Sequence, residues 1–329
     1  MTLSKNNFAR NGAIDVLRIL MAFLVITNHS CIFGSMSQDY LDCAVPVFLI
    51  ITGYYFPTKD LSAEIDKIKR TCRKLIGLIL GAICLYLVWD LLKYIIWDES
   101  TPYSLSTLYT CGNLFCPPLW YVQALLYLMV LLLCIDKIIA YLHYEKYHIS
   151  NLPIWILATV VIVVWSLFKF GVIQLIPNDN NLICLVFLFI GILIKRCPIN
   201  IKNKWLIFIG GGVIILNTIL KLNGLNIDAG VNSCYHYSTV ILSVLIFLFF
   251  KNLNIKSTHL LARWGLNYSM HIYIVHWIFI EIWYKNREGL PHTFMFAIPF
   301  IIFTFCMLAS FIYQYICKKQ RILLKKLRG

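Results

Sequence analysis

Ten apolar stretches, each close to the length of a bilayer crossing, run through this chain and leave only short connections between them. They fall at 13–33, 41–57, 74–97, 117–135, 152–170, 180–195, 205–222, 236–251, 268–284 and 293–316. A helix needs about 20 residues to cross roughly 30 Å of hydrocarbon. A chain of 329 residues that is 60% hydrophobic and 13% charged has more apolar surface than one soluble core hides, since soluble domains carry about 25% charged residues. The pattern predicts an all-α integral membrane protein, a bundle of about ten transmembrane helices forming a single domain over residues 1–329. The stretch at 180–195 is short, but omitting it would place Lys195, Arg196 and the later basic loops on the wrong side of the membrane.

Lys and Arg number 29 against 15 Asp and Glu, a balance that also suits a nucleic-acid partner, so the positions of the charges decide. With a cytoplasmic N-terminus, 23 of the 29 basic residues fall in inside segments, among them Lys67, Lys69, Arg70, Arg73 and Lys74 and six in the tail from Lys318 to Arg328. Outside loops hold only Lys285 and Arg287, beside Asp39, Asp42, Asp98, Glu99, Asp179, Asp228 and Glu288. This segregation is the positive-inside pattern of a chain with both termini cytoplasmic. The acidic outer face excludes nucleic acid as a partner. The first apolar stretch is too long for a signal-peptide core and lacks a small-x-small cleavage site, so it reads as a retained helix. The 12 cysteines contain no C-x-x-C pair and are spread over spans and both faces, which argues against a metal site or a disulfide framework. Cys111 and Cys116 share one outside loop, where pairing and free thiols both fit. No internal repeat announces a transporter.

Ionisable groups inside a bilayer are costly, about 2.5–3.5 kcal/mol each at a helix centre, and so mark candidate sites. In the first span Arg18 and His29 lie eleven residues apart, about three turns and 16 Å along one face. Arg18 sits toward the cytoplasmic end and His29 toward the outer end. An interfacial anchor neutralised by Asp15 accounts for Arg18 as well as chemistry does. For His29, a hydrogen-bonded interfacial histidine competes with a base that takes a proton near neutral pH. Asp90 and Lys93, spaced to pair, share the outer depth with Trp120, Tyr121 and Glu281; a pocket and an interfacial aromatic belt both fit. His276 shares a helical face with Ser269 and Tyr273, as a substrate path or a structural network between helices. The segment DLSAEIDKIKRTCRKLIGL reads as a short amphipathic helix leading into the third span, with Lys67, Arg70 and Lys74 on one face and Arg73 beside them. Arg70-x-x-Arg73 suits phosphates through paired N–H donors, while orientation and anionic lipid alone also produce such a loop.

Five segments then occur in a familiar order: Arg18 with ten residues before His29; AVPVFLIITGYYF from Ala44; the Arg70/Arg73 pair; LWYVQALLYLMVLLL from Leu119; and NYSMHIYIVH from Asn267 to His276. Together they resemble the acyltransferase 3 family of integral-membrane acyltransferases that modify bacterial surface polysaccharides and related acceptors. The resemblance covers essentially the whole chain. The second helix departs from the usual Phe-Phe and Ser-Gly, reading Phe48-Leu49 and Thr52-Gly53. His271 stands where a small residue is common, and the chain ends at Gly329 without the extracytoplasmic hydrolase-like domain of larger members.

The resemblance implies transfer of an acyl group, most often acetyl, from cytoplasmic acyl-CoA (acetyl-CoA) to a hydroxyl of a cell-surface glycan or its lipid-linked precursor at the outer face of the bacterial cytoplasmic membrane. On that basis His29 and Arg18 are expected to be catalytic, and Arg70 and Arg73, with Lys74, to hold the CoA phosphates. Trp120, Tyr121, Glu281 and His276 are expected to bind substrate, among surrounding membrane lipid and with no metal. The competing classes are a transporter or flippase of a lipid-linked sugar, against which the missing inverted repeats count, and a non-catalytic membrane sensor.

Overall fold

A computed structural model describes residues 11–30, 40–56, 61–99, 119–141, 159–160, 162–164, 166–167, 179–224, 236–288 and 291–328. Among these residues every regular element is a helix, as expected where hydrocarbon offers no partner to backbone groups and each segment must satisfy its own. The principal elements are α1 (Gly12–His29), α2 (Ala44–Tyr55), α3 (Leu61–Trp97), α4 (Leu119–Tyr141), α5 (Asp179–Arg196), α6 (Asn203–Leu222), α7 (Tyr237–Lys251), α8 (Leu260–Asn286), the single turn α9 (His292–Met295) and α10 (Ile298–Arg328). The span expected at 152–170 lies for the most part outside the described residues, and so do Cys111 and Cys116.

Among the described residues, five helices are long and apolar enough to cross a membrane: α1, α3, α6, Leu119–Ile138 of α4 and Ile298–Gln320 of α10. The apolar helices α2 and α7 are shorter, 12 and 15 residues. The amphipathic segment before the third span is not a separate helix. It runs unbroken into the span, giving 37 residues or about 55 Å, well beyond the roughly 30 Å of hydrocarbon. No Gly or Pro interrupts Leu61–Leu75, so nothing in the sequence ends the helix where the charge stops.

Contacts between helix ends sort the bundle into two poles. At one pole Asn11 caps α1, its Oδ1 accepting from Ala13 N (2.9 Å) while its Nδ2 donates to Lys251 O (2.9 Å). Lys251 Nζ reaches Ile199 O (2.8 Å), and Asn252 Nδ2 reaches Ile201 O (2.8 Å) and Asn203 Oδ1 (3.0 Å). Gln314 of α10 donates to Asn267 O near the start of α8. At the other pole Tyr284 Oη donates to His29 O (2.8 Å), Tyr40 Oη meets Thr218 Oγ1 (2.9 Å), and Lys285 pairs with Glu99. The first pole gathers Lys195, Arg196, Lys202, Lys204, Lys251 and Lys256, and the second gathers Asp42, Asp98 and Glu99, the same partition that the loop charges define along the sequence. α4 starts against Tyr86 and Trp89 of α3 and carries Asp136 toward Glu64 and Arg196. Lys195 at the end of α5 lies over the Tyr54 ring (5.0 Å). Both helices thus run toward the basic pole, so α4 ends and α5 begins at opposite poles.

Two seams bring backbones together. A Cβ on Gly265 would lie 1.7 Å from Asp15 O, so α1 and α8 touch there through main chain. Between α2 and α5, a Cβ on Gly53 would meet Leu188 O at 2.0 Å and one on Gly191 would meet Ile50 O at 2.2 Å. Small residues are what bilayer helices use for such approach, because packing replaces the hydrophobic drive that lipid removes. Leu17, Ile26, Leu49, Ile50 and Phe187 fill the centre, with no exposure above 1%. The outer faces of α3, α6 and α10 leave Ile95, Phe208 and Phe300 at 67%, 73% and 63% exposure. Large apolar side chains turned outward along several spanning-length helices are at home in lipid, and the chain is a multi-pass membrane protein.

Candidate active site

The α1 stripe read from the sequence faces the middle of the bundle. Arg18 pairs with Asp15 one turn earlier (3.4 Å), and its guanidinium also lies 5.6 Å from the Tyr55 ring centre. Asp15 is fully covered whereas the Arg18 side chain keeps 21% of its surface, because Arg18 lines a cavity of about 180 Å³ with Phe48, Thr52, Tyr121, Ser269 and Tyr273. The anchor reading of Arg18 accounts for the Asp15 pair and leaves this internal surface unexplained.

Three rings form the cavity's wall. Tyr121 and Tyr273 are in edge contact (5.1 Å between centres), and Phe48 lies 6.3 Å and 6.4 Å from them. Each comes from a different helix: α2, α4 and α8. Beyond Tyr273 lies His276, with ring centres 5.6 Å apart. Beyond His276 lies His29, at 5.5 Å and an interplanar angle of 24°. The order inward to outward is cavity, Tyr273, His276, His29.

His276 is wholly buried. Its Nδ1 lies 2.6 Å from Tyr273 O; a carbonyl only accepts, so Nδ1 carries the proton and Nε2 is left with its lone pair. That Nε2 is buried and has no hydrogen-bond partner among the described residues. His29 closes α1, whose last carbonyls lack partners within the helix. Tyr284 supplies one of the missing donors and ties the His29 backbone to α8. The His29 ring also makes an edge-to-face contact with Trp277, at 5.4 Å and 87°.

Behind Trp277 stands a polar knot. Glu281 Oε1 accepts from Trp277 Nε1 (3.0 Å) and Oε2 from Trp89 Nε1 (2.5 Å). Lys93 bridges Glu281 Oε2 (3.3 Å) and Asp90 Oδ1 (2.7 Å). The Asp90–Lys93 pair expected from spacing is present, and Glu281 completes it from α8. Two indole N–H groups and an ammonium thus converge on one carboxylate, which links Trp277 of α8 to Trp89 and Lys93 of α3.

Of the other residues singled out in the sequence, Tyr121 lines the cavity, while Trp120 does not and packs edge-on against Tyr121 (6.4 Å). Arg70, Arg73 and Lys74 are exposed on α3 near the basic pole, with Arg70 Nε donating to Asp66 O (3.3 Å). Arg73 precedes Lys93 by 20 residues, about 30 Å along the helix, so the arginine pair and the histidine pair occupy opposite halves of the bundle. Lys67 leaves the basic face that spacing gives it. Its Nζ donates to the carbonyls of Tyr55 and Phe56 (3.1 Å to the latter), satisfying the open end of α2. Trp89, Trp277, Phe48 and Tyr284 were not legible as site residues. Only the i, i+4 spacing of Trp277 and Glu281 hinted at their bond.

Fold and site together define an integral-membrane protein that encloses a histidine pair and an arginine-lined cavity along one helix stripe. The acyltransferase domain model of the acyltransferase 3 family matches residues 11–315, and the chain belongs to that family. It is thereby a membrane acyltransferase. No curated protein and no solved structure matches the chain.

Proposed function

We propose that this protein moves an acyl group, acetyl in the simplest case, from cytoplasmic acyl-CoA to a hydroxyl of a cell-surface glycan or its lipid-linked precursor on the outer face of the bacterial cytoplasmic membrane. In this reading the chain crosses the membrane ten times with both termini in the cytoplasm, and the basic pole is the cytoplasmic one. The observation that carries the reading is the α1 stripe: Arg18 in an internal cavity and His29 beside a second buried histidine, about 16 Å further out.

Each group then has a task. Arg70, Arg73 and Lys74, exposed where a soluble anion arrives, hold the CoA phosphates by charge-assisted hydrogen bonds. The arm carrying the thioester enters the cavity, where Arg18 stabilises negative charge developing on the thioester oxygen or sulfur. His29 takes the proton from the acceptor hydroxyl as the oxygen attacks the acyl carbon. Tyr121 in the cavity and His276 and Glu281 further out line the route to the acceptor, and Trp120 borders it. The chain's own residues suffice for this chemistry, since a thioester is already activated.

Purified protein incubated with radiolabelled acetyl-CoA and a pool of glycan acceptors tests the reading. Label in glycan is the expected result. Acetyl-CoA that is neither bound nor consumed would contradict it and favour transport or sensing.

A further inference from the structure

The two histidines are unequal, and the inequality assigns them different steps of the acyl transfer proposed above, on which this inference rests. We infer that His276 Nε2 is the nucleophile that carries the acyl group between donor and acceptor, with His29 reserved as the base. The first ground is position. Ring contacts place His276 between Tyr273, which lines the Arg18 cavity, and His29. An acyl group leaving the cavity toward His29 meets His276 first.

The second ground is protonation. The bond from Nδ1 to Tyr273 O fixes the tautomer with the lone pair on Nε2. That atom is fully buried and lacks a hydrogen-bond partner among the described residues. A buried acceptor left without a hydrogen-bond partner is costly in free energy. A nucleophile accounts for the cost, because an imidazole lone pair free of hydrogen bonds attacks without first losing one. His29 differs in its surroundings. It ends α1, is half-buried, and packs against the edge of Trp277 on the acidic-pole side.

The chemistry balances. The Nε2 lone pair adds to the thioester carbonyl, the carbon–sulfur bond breaks, and CoA leaves as thiolate facing Arg18. The product is an Nε2-acylimidazolium whose positive charge is stabilised by the Nδ1–H bond to Tyr273 O. The acceptor oxygen then attacks the acyl carbon as its proton passes to His29. The carbon–nitrogen bond breaks and His276 returns neutral. His29 releases its proton to water, and the thiolate takes one from water on its own side. Tyr273 lines the cavity and its ring contacts His276, so rotation of the Tyr273 side chain is needed for the first step.

A carrier makes the first half-reaction run without acceptor. Radiolabelled CoA should therefore exchange into unlabelled acetyl-CoA on the purified protein with no glycan present. The expected pattern is exchange in wild type, exchange retained in His29→Ala while transfer to glycan is lost, and both lost by at least about a hundredfold in His276→Ala. His276→Asn, closer in shape, guards against misfolding, and its thermal unfolding is compared with wild type. Exchange persisting in a folded His276 variant overturns the carrier. So does transfer to glycan by wild type without exchange, which leaves acyl transfer itself standing. Wild type that neither exchanges nor transfers overturns both.

Discussion

At the scale of single residues, a histidine's neighbours decide whether it is structure or chemistry, and here they differ for two imidazoles 5.5 Å apart. Replacing His29 with Ala removes the proposed base and should lower transfer to acceptor by about 10²–10⁴-fold, with membrane insertion unchanged. Radiolabel transfer alongside a membrane-fraction blot measures both. Glu281 acts at one remove, through Trp277. Glu281→Ala frees two indole N–H groups and removes one carboxylate from Lys93. We expect kcat to fall by about tenfold to a hundredfold from misplacement of the His29 ring. KM for acyl-CoA should hold, and Glu281→Gln, which still accepts from an indole, should recover most of the rate. A Glu281→Ala enzyme with altered KM and normal kcat would instead make Glu281 a binding group.

At the scale of helices, the account rests on seams where backbone meets backbone. Gly265→Ala puts a methyl on Asp15 O, so α1 and α8 must part. The cost should reach about 1–3 kcal/mol, read as a lower Tm in detergent, with transfer falling as well because Arg18 of α1 and Ser269 of α8, close to this seam in sequence, line the same cavity. Gly77→Ala on α3 has open space at its Cβ and should be silent in both assays. Lys67→Ala removes two donors from the end of α2 and should cost about 1–2 kcal/mol without changing the rate at saturating substrate. These seams mark what the sequence could and could not disclose. The Arg18–His29 stripe and the Asp90–Lys93 pair were legible because helical periodicity alone sets them. His29 against His276, Trp89 on Glu281, and Gly265 on Asp15 join positions far apart in the chain, where one sequence carries no register between helices. The sequence shows an amphipathic helix leading into the third span, and the structure adds that the two are one unbroken helix, since backbone hydrogen bonding does not change where charge does.

At the scale of the whole molecule, the two poles sort the charges as the loops do in sequence, and the proposed reaction runs from one pole to the other. Arg70→Ala with Arg73→Ala should raise KM for acyl-CoA about tenfold or more, as lost charge-assisted bonds of about 1.5–3 kcal/mol predict, and leave the rate at saturation near wild type. Unchanged KM with altered orientation would make the pair a topology signal alone. The central claim is that acyl transfer crosses the membrane along the α1 stripe. It is tested most directly in sealed proteoliposomes, with radiolabelled acetyl-CoA supplied only to the face bearing Arg70 and Arg73 and glycan acceptor only to the opposite face. The account predicts label in the acceptor across the membrane with wild type and none with His29→Ala. Label confined to acceptor on the same face as acetyl-CoA, or equal labelling by the His29 variant, would contradict it.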